Sequence, residues 1–204
     1  MEPSNSWDFV DKIIYINLEE AVERRKNMEE LLKVIPQDKI IRFNAIKHEK
    51  GAIGCSKSHI ECLRLAIKNN WSNVLIMEDD AIWNNYEKSL VILNSLAKKE
   101  YDVILLGGCF TNFDKNTYKL YCGQTATSYL VSKHYYEKLL SNFVEGLVGL
   151  MKTNDYPKYA LDQYWKKLQI SDNWYIVNPA LVIQKPDYSY IEKKNVNYVE
   201  WFNI

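Results

Sequence analysis

An apolar run closed by a polar residue, Lys12-Ile-Ile-Tyr-Ile-Asn17, sets the first element. Its length and β-branched content predict a strand buried on both faces. Residues 19–34 follow as a charged amphipathic helix whose inner side carries Met28, Leu31, Leu32 and Ile35. The alternation then repeats. Residues 40–45 read as a strand and 54–69 as a helix with Leu63, Ala66 and Ile67 inward. Residues 73–77 read as a strand delivering Glu78-Asp79-Asp80, 86–99 as a helix, and 102–106 as a strand ending at Gly107-Gly108. Beyond this the periodicity weakens. Residues 109–123 predict a polar loop or short hairpin, 125–132 a strand, 133–142 a helix, and 143–158 an irregular stretch holding Gly146, Gly149 and Pro157. A helix over 160–168 and short strands over 174–177 and 180–184, flanking Asn178-Pro179, complete the pattern. The last twenty residues are polar and aromatic (Tyr188, Tyr190, Tyr198, Trp201, Phe202) without clear period.

Strands alternating with helices predict an α/β fold with a mostly parallel sheet covered on both faces. Ligands of such sheets sit beyond the carboxyl ends of the strands. The polar residues at those ends therefore matter most: Asn17, the Glu78–Asp80 run and Gly107-Gly108. The 204 residues fit one domain, with a core over about 12–184 and an irregular extension over 185–204.

Charge narrows the function classes. The chain carries 26 basic and 26 acidic side chains, and neither half departs far from balance. That excludes the basic surface with which a protein grips nucleic acid. Lysine is abundant and arginine rare, with only four, so the adjacent pair Arg24-Arg25 stands out. The first residues have neither a basic n-region nor an apolar h-region, and no apolar run approaches the ~18 residues of a membrane span. A cytoplasmic protein without a transmembrane segment is expected. Four cysteines without CxxC spacing do not suggest a disulfide framework. Cys55, His59 and Cys62 share a helix face. Yet seven helical residues rise about 10.5 Å, and two sulfurs on one zinc lie within ~4.6 Å, so one helix cannot supply both.

Three consecutive carboxylates at the end of a buried strand repel one another. They call for a bound cation, a basic partner or a raised pKa. An extended backbone would send Glu78 and Asp80 to one face and Asp79 to the other. A hard divalent ion with oxygen ligands fits, and such ions hold substrate phosphates. Neither a Walker A loop nor GxGxxG is present, so ATP hydrolysis and a classical dinucleotide site lack their usual signals, and a sugar-nucleotide diphosphate is another ligand that needs metal bridging.

Several motifs then fall in order. They are Ile14-Tyr-Ile-Asn-Leu18 followed by Arg24-Arg25, Gly51-Ala-Ile-Gly-Cys-Ser-Lys-Ser-His59, Val74-Leu-Ile-Met-Glu-Asp-Asp80 and Asp102-Val-Ile-Leu-Leu-Gly107. Further on come Thr125-Ala-Thr-Ser-Tyr-Leu-Val-Ser132 and Leu161-Asp-Gln163. Together the chain resembles glycosyltransferase family 25, which includes lipopolysaccharide glycosyltransferases and procollagen galactosyltransferases.

The resemblance implies a GT-A-type nucleotide-diphospho-sugar transferase fold and inverting transfer of a hexose, from a UDP-sugar, to a hydroxyl. The acceptor would be a glycan, a glycolipid or a hydroxylysine-type side chain. Mn²⁺ or Mg²⁺ would sit on Asp80 and Glu78, with Glu78 or Asp79 also near the ribose. Asn17, Arg24, Ser58 and His59 would contact the nucleotide or its phosphates, and Gly51 and Gly54 would let the backbone approach or turn. Asp162 would be the catalytic base, or a donor ligand. Many enzymes of this fold carry a late metal-binding His. Here the late strand ends in Gln184 and no His follows His134.

The rival reading is a catalytically inactive sugar-nucleotide or glycan binder of the same fold. A phosphate-ester hydrolase is disfavoured, because Ala81 and Ile82 follow Asp80 where its motif needs other residues.

Overall fold

The computed structural model describes residues 6–189 and 191–202. In chain order the elements begin with β1 (Lys12–Asn17), α1 (Val22–Leu31), β2 (Ile40–Asn44), α2 (Gly51–Lys68), β3 (Asn73–Glu78), β4 (Ala81–Trp83) and α3 (Tyr86–Leu96). Next come β5 (Val103–Leu105), β6 (Cys109–Phe113), β7 (Leu120–Gln124), β8 (Ser128–Ser132) and α4 (Tyr136–Thr153). Three single-turn helices follow, α5 (Tyr156–Tyr159), α6 (Leu161–Tyr164) and α7 (Lys166–Gln169). The chain closes with β9 (Trp174–Ile176), β10 (Val182–Gln184), β11 (Asp187–Ser189), β12 (Lys194–Val196) and a 3₁₀ turn over Val199–Phe202.

The main sheet has the order β2-β1-β3-β8-β5-β9. Its pairs are parallel except at β8, which runs antiparallel to both β3 and β5. Both faces are buried, and the period of two sorts them. Ile14, Ile16, Val74, Ile76, Tyr129 and Val131 face one core, which α2 and α4 cover. Ile13, Tyr15, Leu75, Met77 and Leu130 face the other, which includes Met28 of α1 and Leu90 and Leu93 of α3. This parity decides the site. Glu78 continues the Val74–Ile76 face toward α2, while Asn17 continues the Ile13–Tyr15 face toward α1.

Four local expectations are corrected. The stretch over 143–158 is not irregular, because α4 runs unbroken to Thr153. A Cβ on Gly149 would come within 2.2 Å of the Tyr159 ring, and one on Gly146 within 3.1 Å of Tyr164. These glycines serve close packing rather than turns. The helix expected over 160–168 is instead broken into single turns. Gly51 and Gly54 form no turn before α2 but lie in its first turn, where a Cβ on Gly54 would stand 2.5 Å from the Ile46 carbonyl oxygen. The C-terminal stretch, expected to be irregular, builds the β11–β12 hairpin and the closing 3₁₀ turn. Tyr190 lies outside the described residues.

Candidate active site

β3 ends at Glu78, and Asp79-Asp80 turn the chain toward β4. The turn ends the extended alternation, so the three carboxylates diverge. Glu78 faces α2, where its Oε1 lies 3.4 Å from His59 Nε2 and 3.6 Å from Cys55 Sγ. Asp79 faces α1. It accepts from Asn17 Nδ2 at 2.7 Å and from Arg24 Nη1 at 2.9 Å. Asp80 is not carried to the face of Glu78 by an extended backbone. It sits between Arg24 Nη1, at 3.6 Å, and Gln184 Nε2, which donates to its Oδ2 at 2.9 Å. Gln184 gets there because β10 pairs antiparallel with β4.

The electrostatics follow from burial. Desolvation pushes Asp80 up to about 7, and Glu78 adds to this against the pull of Arg24. Desolvation also raises Asp79 and outweighs its bonds to Asn17 and Arg24. For Glu78, burial pushes upward, but the hydrogen bond and charge of His59 prevail and hold it below the usual range. The Arg24 guanidinium loses solvation but is held firmly charged by Asp80 and Asp79. So the acidic run meets two of the three outcomes that crowded charges allow, a basic partner and a raised pKa. Asp80 Oδ1 is nonetheless buried without a hydrogen-bond partner among the described residues. An orphaned carboxylate oxygen suits a hard divalent ion, so the residues fit such a metal.

Asn17 is buried and fully used. It donates to Asp79 and to the Ala21 carbonyl, and accepts from Arg42 Nε at 3.1 Å. It therefore positions Asp79. Ser58 is likewise buried. Its Oγ accepts from the Ile46 N–H and donates to the Gly54 carbonyl, both at 2.8 Å, which fixes the loop after β2 onto α2. Arg24 reaches beyond the acidic run to Asp187 at 3.1 Å and to the Tyr188 carbonyl at 2.8 Å. It pins the C-terminal hairpin against the acidic turn.

Two adjoining cavities of about 270 Å³ and about 280 Å³ share Cys55, Glu78, Gln184, Ser189 and Ile191 in their walls. The first holds Arg24, Asp79, Asp80, Lys47 and His59. The second holds Asp162, Thr125, Tyr156, Tyr198 and Trp201. Burial raises the Asp162 carboxyl, and Glu78 adds to it against the Thr125 N–H that donates to Asp162 Oδ2 at 3.0 Å. Thr125 makes that bond at φ 90°, a conformation β-branched residues rarely adopt. Stored backbone strain of this kind is characteristic of functional sites. Tyr129 lies behind the cavities, its hydroxyl 2.7 Å from His59 Nδ1. Gln184, Asp187 and Arg42 carry no motif of their own. Only the pairing of β10 with β4, and the return of the hairpin to α1, could have revealed the first two.

A mixed, mostly parallel sheet with an acidic turn at the carboxyl end of a central strand gives the chain a GT-A-type fold. The sequence profile of glycosyltransferase family 25 (LPS biosynthesis protein) matches residues 47–156, and the chain belongs to that family. The fold is similar to that of a glycosyltransferase involved in the glycosylation of the major capsid of PBCV-1. That likeness has a TM-score of 0.50 at 10% identity, over 85% of this chain and 92% of the other. A weaker likeness, TM-score 0.48 at 10% identity over 82% of this chain and 73% of the other, is to a mannose-1-phosphate geranyltransferase from Thermus thermophilus. No curated protein sequence matches the chain. No helix among the described residues is long and apolar enough to cross a membrane.

Proposed function

We propose that the chain transfers a hexose from a UDP-sugar to a hydroxyl of a glycan, glycolipid or hydroxylysine-type acceptor, with inversion at the anomeric carbon. The observation that carries this reading is the pair of adjoining cavities that share Glu78 in their walls. One wall set holds the acidic turn and Arg24, and the other holds the half-buried Asp162. The nucleotide sugar occupies the first and the acceptor the second.

Asp80 and Glu78 would hold Mn²⁺ or Mg²⁺, which when bound would supply Lewis-acid neutralisation of charge on the departing diphosphate. Asn17 and Arg24 hold Asp79 in place by hydrogen bonds. Asp162 takes the proton of the acceptor hydroxyl as the oxygen forms its bond to the anomeric carbon, and the bond from that carbon to the diphosphate oxygen breaks. Its raised pKa brings it nearer the operating pH than an ordinary aspartate, which suits a base.

The experiment is a donor screen with Mn²⁺ that reads free UDP. Release with one donor, lost in Asp162→Asn while UDP affinity is retained, supports the assignment. Tight UDP binding with no release from any donor would instead make the chain a non-catalytic binder. Lost UDP affinity in Asp162→Asn would move that residue among the donor ligands.

A further inference from the structure

Cys55 lies in the wall between the two cavities, and the transfer reaction leaves it unused. α2 places it one turn before His59, on the face toward β3, and β3 delivers Glu78 opposite both. Sγ of Cys55, a ring nitrogen of His59 and a carboxylate oxygen of Glu78 all lie within 4.8 Å of one another. We propose that Cys55 Sγ, His59 Nε2 and Glu78 Oε1 form a zinc site, which shares Glu78 with the oxygen site at Asp80 and differs from it in its sulfur and nitrogen ligands.

The distances match zinc. This ion binds sulfur at about 2.3 Å, nitrogen at about 2.0–2.1 Å and oxygen at about 2.0–2.2 Å, in a tetrahedron. Ligands at those lengths stand about 3.6 Å apart along the sulfur–oxygen edge and about 3.4 Å along the nitrogen–oxygen edge. The observed separations are 3.6 Å from Sγ to Oε1 and 3.4 Å from Nε2 to Oε1. The spacing that a single helix cannot give to Cys55 and Cys62 is supplied by a strand end instead.

An outer partner is also in place. The Tyr129 hydroxyl lies 2.7 Å from His59 Nδ1. When Nδ1–H donates to it, the Nε2 lone pair is free to face the ion, the arrangement metal-bound histidines adopt. One thiolate and one carboxylate balance the two charges of zinc, so a half-buried site becomes neutral. The fourth vertex opens to water, since Cys55 and Glu78 line both cavities, which also gives the ion its entry path. The thiolate and imidazole select zinc over Mg²⁺ and Mn²⁺, whereas the carboxylate oxygens at Asp80 favour the harder ions.

The test uses the full chain stripped with a chelator, reloaded with zinc, passed through a desalting column and analysed for bound metal. Cobalt(II) serves as a coloured substitute in a parallel sample. Wild type should retain one equivalent of zinc, and the cobalt form should show a thiolate-to-metal charge-transfer band. Cys55→Ser and Cys55→Ala should lose both while keeping the melting temperature of the metal-free wild type, and Cys122→Ser should keep both. Tyr129→Phe, which removes only the outer partner, should weaken zinc binding about 10–100-fold. Asp80→Asn should retain zinc, so the outcome is independent of the transferase reading. Wild type emerging zinc-free, equal retention by both Cys55 variants, or a cobalt form without the band would each overturn the site.

Discussion

Arg24 Nη1 lies 2.9 Å from Asp79 Oδ1, with the two side chains only 14% and 12% exposed. The pair is close to buried, so its worth is asymmetric. Removing the cation leaves two desolvated carboxylates, Asp79 and Asp80, uncompensated, and breaking such pairs costs about 3–5 kcal/mol. Arg24→Met should therefore lower urea stability by about that amount, and added Mn²⁺ should restore part of the loss by compensating Asp80. The same variant removes the Arg24 contacts to Asp187 and the Tyr188 carbonyl, so amide exchange across β11 should accelerate. Unchanged stability and exchange would show that Arg24 does not pin the hairpin.

Asp80→Asn keeps the size of the side chain and removes its charge. Turnover should disappear and UDP binding should cease to depend on Mn²⁺, read by calorimetry with and without chelator. The folded protein should gain stability above about pH 7, because the carboxylate that burial and Glu78 destabilise is gone. Surviving turnover would place the metal elsewhere.

The alternation of strands and helices up to Leu106 was legible because β1, β3 and β5 are apolar and buried on both faces while the helices between them carry polar outer faces. What the sequence hid has physical causes. Gly146 and Gly149 resemble breakers until Tyr159 and Tyr164 are seen packing against them. β8 reads as one more strand, but nothing in its pattern says it runs antiparallel between β3 and β5. The acidic run was legible as a site, and the opposite facing of Glu78 and Asp79 follows from strand parity. The place of Asp80 does not, because it depends on a turn and on Gln184, 104 residues away. Spacing along α2 alone argues against zinc, since Glu78 joins the set only through the tertiary fold.

Gly107 tests the packing that brings Gln184 to Asp80. A Cβ there would stand 2.0 Å from the Val182 carbonyl oxygen, a backbone atom that cannot rotate away. Gly107→Ala should cost at least the roughly 1–3 kcal/mol typical of overpacking and should displace β10. The expected signature is a lower urea midpoint together with weaker Mn²⁺-dependent UDP binding. Gly149→Ala meets a Tyr159 ring instead. It should lower stability while leaving UDP affinity unchanged, and an equal effect of both on UDP would remove the special role of β10.

The pH profile separates the base from its neighbours. Asp162 is raised by burial and then by Glu78, against the Thr125 N–H and Lys166. A carboxyl with a raised folded-state pKa binds more protons folded than unfolded. Its contribution to stability is fully present below the ordinary aspartate value of about 3.9 and is lost as pH rises through the raised value. Catalysis runs the opposite way, because a base acts only when ionised. Over the same window kcat/KM should rise while urea stability falls. Asp79 and Asp80 are raised too and contribute to the stability slope in wild type. The difference between wild type and Asp162→Asn isolates the Asp162 share, since Asn can still accept from the Thr125 N–H and hold the fold. The variant should lose about 10²–10⁴-fold in turnover and show a shallower stability decline. A wild-type kcat/KM that stays flat through this window, with turnover preserved in Asp162→Asn, would assign the proton to another group.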